Sequence, residues 1–125
     1  MTKSVLVVDD EASISFALEH LMKSEGYNVT TANDGNKAIE QATTSRPDVI
    51  LLDVSLPGRD GFDVCQTIHS APTTCDVKII MMSAHSRDIE IEKGMALGAS
   101  AYLTKPFSMG MVAQTVRDVL AGDHS

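Results

Sequence analysis

The feature of this sequence that most restricts its fold is a set of short apolar runs, none longer than four residues. Three runs are unbroken and the last is weaker: Val5–Val8, Val49–Leu52, Ile79–Met82 and Ala101–Leu103. Unbroken apolar runs of this length are typical of strands covered on both faces, as in a parallel sheet. A fifth candidate strand, Asn28–Ala32, is more polar, which is expected of a strand at the edge of that sheet.

Segments with helical periodicity lie between and after these runs. In the clearest one, apolar residues recur at helical spacing from Ile14 to Met22, and Gly26 stands where a C-terminal cap belongs. Asp60 is the candidate N-terminal cap of the third helix, and Ser108 lies near the start of the last one. The other helices are centred on Ala38–Ala42, Phe62–Ile68, Ile89–Leu97 and Val112–Leu120. Five strands alternating with five helices predict an α/β fold with helices on both faces of a parallel sheet, in one domain over residues 1–125.

Composition excludes several classes of function. With 10 basic against 17 acidic residues and a formal net charge of −7, this module lacks the basic face that direct nucleic-acid binding requires. No apolar run could span a membrane or serve as a secretory signal, so we expect a cytoplasmic location. Cys65 and Cys75 lack the spacing of a metal or redox site and are interpreted as free thiols in a reducing compartment.

Polar side chains follow the carboxyl ends of four predicted strands. In strand order, they are Asp9 and Asp10, then Asp53, Ser83, and Thr104 with Lys105. In an open parallel sheet, ligands bind in the crevice beyond the carboxyl ends of the strands. The sequence therefore predicts that three carboxylates, one serine hydroxyl and one ammonium group surround a single site. Glu11 is interpreted as solvated charge at the start of a helix.

These groups together predict phosphoryl chemistry. Crowded carboxylates repel one another, and Mg²⁺ relieves that repulsion because it prefers oxygen ligands and keeps waters that a phosphate can replace. Lys105 supplies a compact positive charge for the phosphate. A carboxylate such as Asp53 can then attack phosphorus in line to give an aspartyl-phosphate, and Ser83 can donate a hydrogen bond to it.

The motifs that carry these residues resemble the receiver domain of bacterial two-component response regulators, the CheY-like family. The matching segments are VLVVDDE (Val5–Glu11), ILLDVSLPGRDGFD (Ile50–Asp63), IIMMSAH (Ile79–His85) and GASAYLTKPF (Gly98–Phe107). They follow the family's order and spacing over essentially the whole chain. The resemblance implies a flavodoxin-like, doubly wound sheet of five parallel strands in the order 2-1-3-4-5, with five helices.

The resemblance also implies roles for the acids. Asp53 matches the phosphoacceptor and a ligand of Mg²⁺, Asp10 matches the direct metal ligand beside it, and Asp9 matches the acid that reaches the metal through water. Ser55 stands where the family uses a backbone carbonyl as the third protein ligand. Magnesium is thus the implied cofactor.

Three further roles are implied at the ends of the last two strands. Ser83 matches the switch hydroxyl, Lys105 the lysine that pairs with the phosphoryl group, and Tyr102 the aromatic residue that turns inward on activation. The family's Lys-Pro bond is commonly cis, which implies the same for Lys105-Pro106. His85 is expected to influence the lifetime of the phosphoryl group or simply to be exposed.

The implied function is signalling rather than conventional enzymatic catalysis. A sensor histidine kinase or a phosphotransfer protein would donate the phosphoryl group to Asp53, in a reaction that depends on Mg²⁺. The face made by the fourth helix, the fifth strand and the fifth helix would then change and control an output domain or a partner protein. The alternative is a receiver that works as an interaction module without phosphorylation.

Two other functions fit the residues less well. Phosphatases that resemble the haloacid dehalogenases carry Asp-x-Asp at the nucleophile, whereas this chain has Asp53-Val54-Ser55 and so lacks the second acid. A flavodoxin-like cofactor binder needs a phosphate-binding loop after the first strand, where this chain has Asp9 and Asp10. Without a metal, two carboxylates at that position would repel an anionic cofactor.

Overall fold

A computed structural model describes residues 2–84 and 87–122 of the chain. The strands and helices alternate in the order β1 Ser4–Val8, α1 Ala12–Ser24, β2 Asn28–Ala32, α2 Gly35–Ser45, β3 Val49–Asp53, α3 Gly61–Ser70, β4 Lys78–Ser83, α4 Asp88–Ala96, β5 Ala101–Thr104 and α5 Met109–Leu120. All strand pairs are parallel, and the sheet has the order β2-β1-β3-β4-β5. The predicted fold class and strand order are therefore confirmed.

The sheet separates two apolar cores, because successive side chains of a strand point to opposite faces. On one face, alternate residues such as Val5, Val7, Leu51 and Met82 pack under α1 and α5. The other face is covered by α2 and α3, and α4 packs against it at β5. This two-sided burial explains why the runs of β1, β3 and β4 are unbroken, and why the edge strand β2 is more polar.

Two polar side chains and one glycine cap the ends of three helices. Asp60 accepts a hydrogen bond from the Asp63 amide at the start of α3, and Ser108 accepts one from the Met111 amide at the start of α5. Gly26 follows α1 with a φ of +94°, a conformation that glycine adopts without steric penalty. The predicted cap Asp60 and the predicted cap glycine are confirmed, and the structure identifies Ser108 as the cap of α5.

The strands run slightly further than the apolar runs that predict them. Asp53 and Ser83 are the last residues of β3 and β4, rather than the first residues after them, and β5 includes Thr104. The ladder hydrogen bonds continue because the backbone of a polar residue pairs as well as that of an apolar one. The Lys105-Pro106 peptide bond is cis, as the resemblance implies. None of the helices in the described part of the chain has the length and apolarity needed to cross a membrane.

Candidate functional site

The two central strands bring Asp9 and Asp53 together at the carboxyl edge of the sheet. β1 and β3 are neighbours in register, with Val8 opposite Leu52, so the residue after β1 lies beside the last residue of β3. The strand order reverses at this pair, which is where a doubly wound sheet opens a crevice. Asp9 is 1% exposed and Asp53 is 4% exposed, so both carboxyl groups are largely withdrawn from water.

Lys105 provides the positive charge between these acids. Its Nζ atom lies 3.1 Å from Oδ2 of Asp9 and 3.4 Å from Oδ2 of Asp53. The side chain reaches the acids from the loop after β5, and the Lys105 amide donates a 2.7 Å hydrogen bond to the Ser83 carbonyl. The backbone of one predicted site residue thus holds another in place.

The carboxylates have the composition of a site for a hard cation. Among the residues that the structure describes, Asp9, Asp10 and Asp53 each offer a carboxylate oxygen, and these oxygens lie within 4.8 Å of one another. Asp10 is exposed, whereas the other two are buried, so the cluster opens toward solvent on one side. An oxygen donor set with an open side fits Mg²⁺, which keeps part of its water shell in proteins.

Burial beside a second carboxylate changes the ionisation of Asp53. Desolvation, followed by the charge of Asp9, raises the pKa of Asp53 from 3.8 to about 6, although Lys105 and the Ser55 amide oppose the shift. Desolvation lowers the pKa of Lys105, but its contacts with Asp9 and Asp53 outweigh that effect, and the net shift is upward. Lys105 therefore stays charged, while Asp53 is held in a site that disfavours its ionised form.

Two serines lie beside the acids. Ser83 is buried at the end of β4, one position beyond the residue that pairs with Asp53. The Ser55 amide donates a 3.3 Å hydrogen bond to Oδ1 of Asp53. A cleft of about 240 Å³ is lined by Asp10, Glu11, Asp53, Ser55, Ala84 and Lys105. The structure therefore places Ser55 in the site through its amide, and the predicted metal contact of its carbonyl stays a prediction.

Tyr102 lies outside the acid cluster. Its side chain is half-buried and packs against the core under α2 and α3. A Cβ atom on Gly94 of α4 would lie 3.4 Å from two carbons of the Tyr102 ring, so the ring lies directly against this helix. His85, the remaining residue with a predicted influence on the site, lies outside the described residues.

Gly61 is a site residue that the sequence interpretation missed. Its amide donates a 2.7 Å hydrogen bond to the Val54 carbonyl, and a Cβ at this position would lie 2.3 Å from the Asp53 carbonyl oxygen. Only glycine allows α3 to begin this close to the peptide of Asp53. A glycine directly after the cap Asp60 was the available signal, because small residues are required where two backbones approach closely.

Comparison with known proteins identifies the same family that the sequence motifs resemble. The sequence model described as the response regulator receiver domain matches residues 5–117. The chemotaxis response regulator CheY4 of Vibrio cholerae is 32% identical, with 95% of this chain and 99% of that chain covered, and a TM-score of 0.90. A putative response regulator from Chloroflexus aurantiacus is also 32% identical, with 97% and 99% covered and a TM-score of 0.91.

A third similar structure bears on the acid cluster. It is the receiver domain of a sensor histidine kinase from Pseudomonas aeruginosa, with a magnesium ion coordinated in its active-site cleft. This protein is 28% identical, with 97% of this chain and 99% of that chain covered, and the TM-score is 0.88.

Proposed function

Because this chain belongs to the response regulator receiver domain family, we propose that it is a signalling module that accepts a phosphoryl group on Asp53 and changes shape in response. We extend this assignment to the whole of residues 1–125 as one receiver domain. The phosphoryl donor is a sensor histidine kinase or a phosphotransfer protein, and the target is an output domain or a partner protein. The setting is the cytoplasm, and neither nucleic acid nor a membrane is a direct partner of this module.

The observation that carries the proposal is the contact of Lys105 with two buried acids from different strands. Its ammonium group lies 3.1 Å from Asp9 and 3.4 Å from Asp53, although 96 and 52 positions separate the residues in the sequence. Burying three charged groups together is unfavourable unless they are paired, and desolvation and the charge of Asp9 raise the pKa of Asp53 despite its contact with Lys105. A site of this kind favours the binding of a further cation beside the acids.

The acid cluster is also suited to the metal that the reaction requires. Asp10 and Asp53 would hold Mg²⁺ directly with the Ser55 carbonyl, and Asp9 would hold it through water. The close carboxylate oxygens and the open side support this assignment. When bound, Mg²⁺ would screen the negative charge and receive an oxygen of the arriving phosphoryl group.

Asp53 is the nucleophile in the proposed transfer. One of its carboxylate oxygens forms a bond to phosphorus as the bond between phosphorus and the donor nitrogen breaks. The electron pair of the broken bond stays on the donor imidazole, which then takes up a proton. Lys105 is close enough to Asp53 to pair with the phosphoryl oxygens after transfer, and the Ser83 hydroxyl donates to one of them.

The response of the fold follows from the new charge. The aspartyl-phosphate carries up to about two negative charges, one more than the ionised carboxylate that it replaces, and this new charge lies beside the buried ends of β3 and β4. We propose that Ser83 moves toward it, that Tyr102 rotates inward, and that the face made by α4, β5 and α5 changes as a result. The chain thus promotes its own phosphorylation and dephosphorylation and is not an enzyme that acts on a separate substrate.

The test is incubation of the protein with Mg²⁺ and a small acyl phosphate, followed by intact-mass spectrometry. We expect one phosphoryl adduct on the wild-type protein, and no adduct on Asp53→Asn or on wild-type protein treated with a chelator. An adduct that persists in Asp53→Asn would show that another residue is the acceptor. Absence of an adduct on the wild-type protein would favour a module that works without phosphorylation.

A further inference from the structure

A fourth acid lies at the mouth of the cleft, and it belongs neither to the buried pair nor to the predicted metal ligands. We propose that Glu11 is a specificity-determining residue, whose negative charge disfavours small, doubly charged phosphodonors relative to donors that carry less negative charge. This inference rests on the proposed phosphoryl transfer to Asp53.

The backbone of Glu11 is fixed to the site. Glu11 precedes α1 at the cap position, with φ −83° and ψ 110°, and its amide donates a 2.9 Å hydrogen bond to Oδ1 of Asp9. Its side chain makes no capping hydrogen bond with the helix that follows. The carboxylate is therefore not needed to start α1, while the backbone that carries it is held by an acid of the site.

The side chain extends to the edge of the cleft. Oε1 of Glu11 lies 4.0 Å from Nζ of Lys105, and both residues line the same 240 Å³ cleft as Asp53. The Glu11 side chain is 60% exposed, whereas that of Lys105 is 14% exposed. Lys105 is closer to Asp9 and Asp53 than to Glu11, so those two acids take most of its compensating charge. The charge of Glu11 thus faces the solvent from which a donor must arrive.

The cleft carries an excess of negative charge, to which Glu11 contributes. Four carboxylates face one ammonium group around the cleft, and a divalent cation would still leave an excess of negative charge. Glu11 alone among the four is given no role in accepting the phosphoryl group or holding the metal. In a solvent-like medium, a negative charge about 7 Å away lowers the local concentration of a donor, and so the rate of transfer, by roughly threefold per negative charge on the donor.

Two small donors of different charge test the proposal. At neutral pH, acetyl phosphate is a dianion and phosphoramidate carries one fewer net negative charge. The rate of adduct formation on Asp53 would be measured with each donor for wild type and Glu11→Gln, at Mg²⁺ concentrations that saturate both proteins. We expect the substitution to raise the rate with acetyl phosphate about threefold more than the rate with phosphoramidate. Added salt should reduce this difference, because it screens exposed charges.

Glu40→Gln is the matched control, since it removes the same charge from an exposed position on α2. It should leave the ratio of the two rates unchanged, and Glu11→Lys should change the ratio further in the same direction as Glu11→Gln. Equal responses of Glu11→Gln and Glu40→Gln would overturn the role of Glu11 while leaving Asp53 as the acceptor. A wild-type protein that forms no adduct with either donor would instead contradict the proposed function itself.

Discussion

The centre of the sheet and helix α4 are packed to very different degrees. Every residue of β3 is buried, and so is every residue of β4 except the first. In α4 the only buried residue is Gly94, and Ile89 is 72% exposed. The strands that carry Asp53 and Ser83 are thus held on both faces, whereas the helix proposed to respond is held on one side. Local stability is expected to follow this difference, because regions with few buried apolar contacts open most easily.

The attachments of α4 described by the structure are concentrated toward its C-terminal end. The ammonium group of Lys93 lies 4.4 Å from the centre of the Phe62 ring on α3. The Cys65 thiol donates a weak hydrogen bond, 3.6 Å long, to the Leu97 carbonyl, and burial raises the pKa of this thiol to about 11. Together with the contact between Gly94 and Tyr102, these interactions hold the C-terminal part of α4 to α3 and β5.

Truncation of one apolar residue should destabilise the protein far more in the sheet than in α4. Leu52→Ala removes a fully buried side chain from β3, and we expect a loss of about 2–5 kcal/mol in the free energy of unfolding. Ile89→Ala removes an exposed side chain from α4 and should change that free energy by no more than about 0.5 kcal/mol. Urea denaturation measures both values. Losses of similar size would mean that α4 is as firmly packed as the sheet.

Replacement of a glycine by alanine should have opposite effects on stability in the two regions. Gly61→Ala would place a Cβ 2.3 Å from the Asp53 carbonyl oxygen, so we expect a loss of about 1–3 kcal/mol in stability. In Gly94→Ala the Cβ would lie at ordinary contact distance from the Tyr102 ring, and alanine favours a helix over glycine by up to about 1 kcal/mol. Denaturation midpoints measure both. A stabilising effect of Gly61→Ala would contradict the close approach of the Gly61 backbone to the Asp53 carbonyl.

The stability of the sheet centre should depend on pH through Asp53. An acid whose pKa is raised on folding keeps a proton that the unfolded chain has lost, so Asp53 destabilises the folded state as pH rises from about 4 through its folded pKa of about 6. Asp53→Asn removes this effect. In the absence of metal, the stability of Asp53→Asn relative to wild type should therefore increase by about 1–3 kcal/mol between pH 4 and pH 8, allowing for solvent screening in the cleft.

Chemical denaturation of both proteins across this pH range, with a chelator present, measures the effect. Added Mg²⁺ should stabilise the wild-type protein more than Asp53→Asn and reduce the difference at high pH. A difference that does not vary with pH would mean that the environment of Asp53 does not disfavour its charge.

Much of the site could be predicted because its residues stand at strand ends. The apolar runs predicted the strands, and the carboxyl ends of parallel strands meet at one edge, so Asp9, Asp53 and Ser83 were expected together before any distance was known. Glu11 and Gly61 were harder to interpret. An exposed acid at a helix start and a glycine after a cap are both common in proteins. Only the distance from Glu11 to Lys105 and that from Gly61 to the Asp53 peptide distinguish these two residues from ordinary ones.

The order of strands and helices, the burial of the central strands and the convergence of Asp9, Asp53 and Ser83 at one edge of the sheet were predictable from the sequence alone. These properties depend on local periodicity and on which residues end each apolar run, and both can be read along one chain. The folded structure was needed to show which acid Lys105 approaches most closely, how far the pKa of Asp53 rises and how few residues of α4 are buried. Those properties depend on distances between segments far apart in the chain, where a shift of one ångström changes electrostatic and packing energies without changing the sequence pattern.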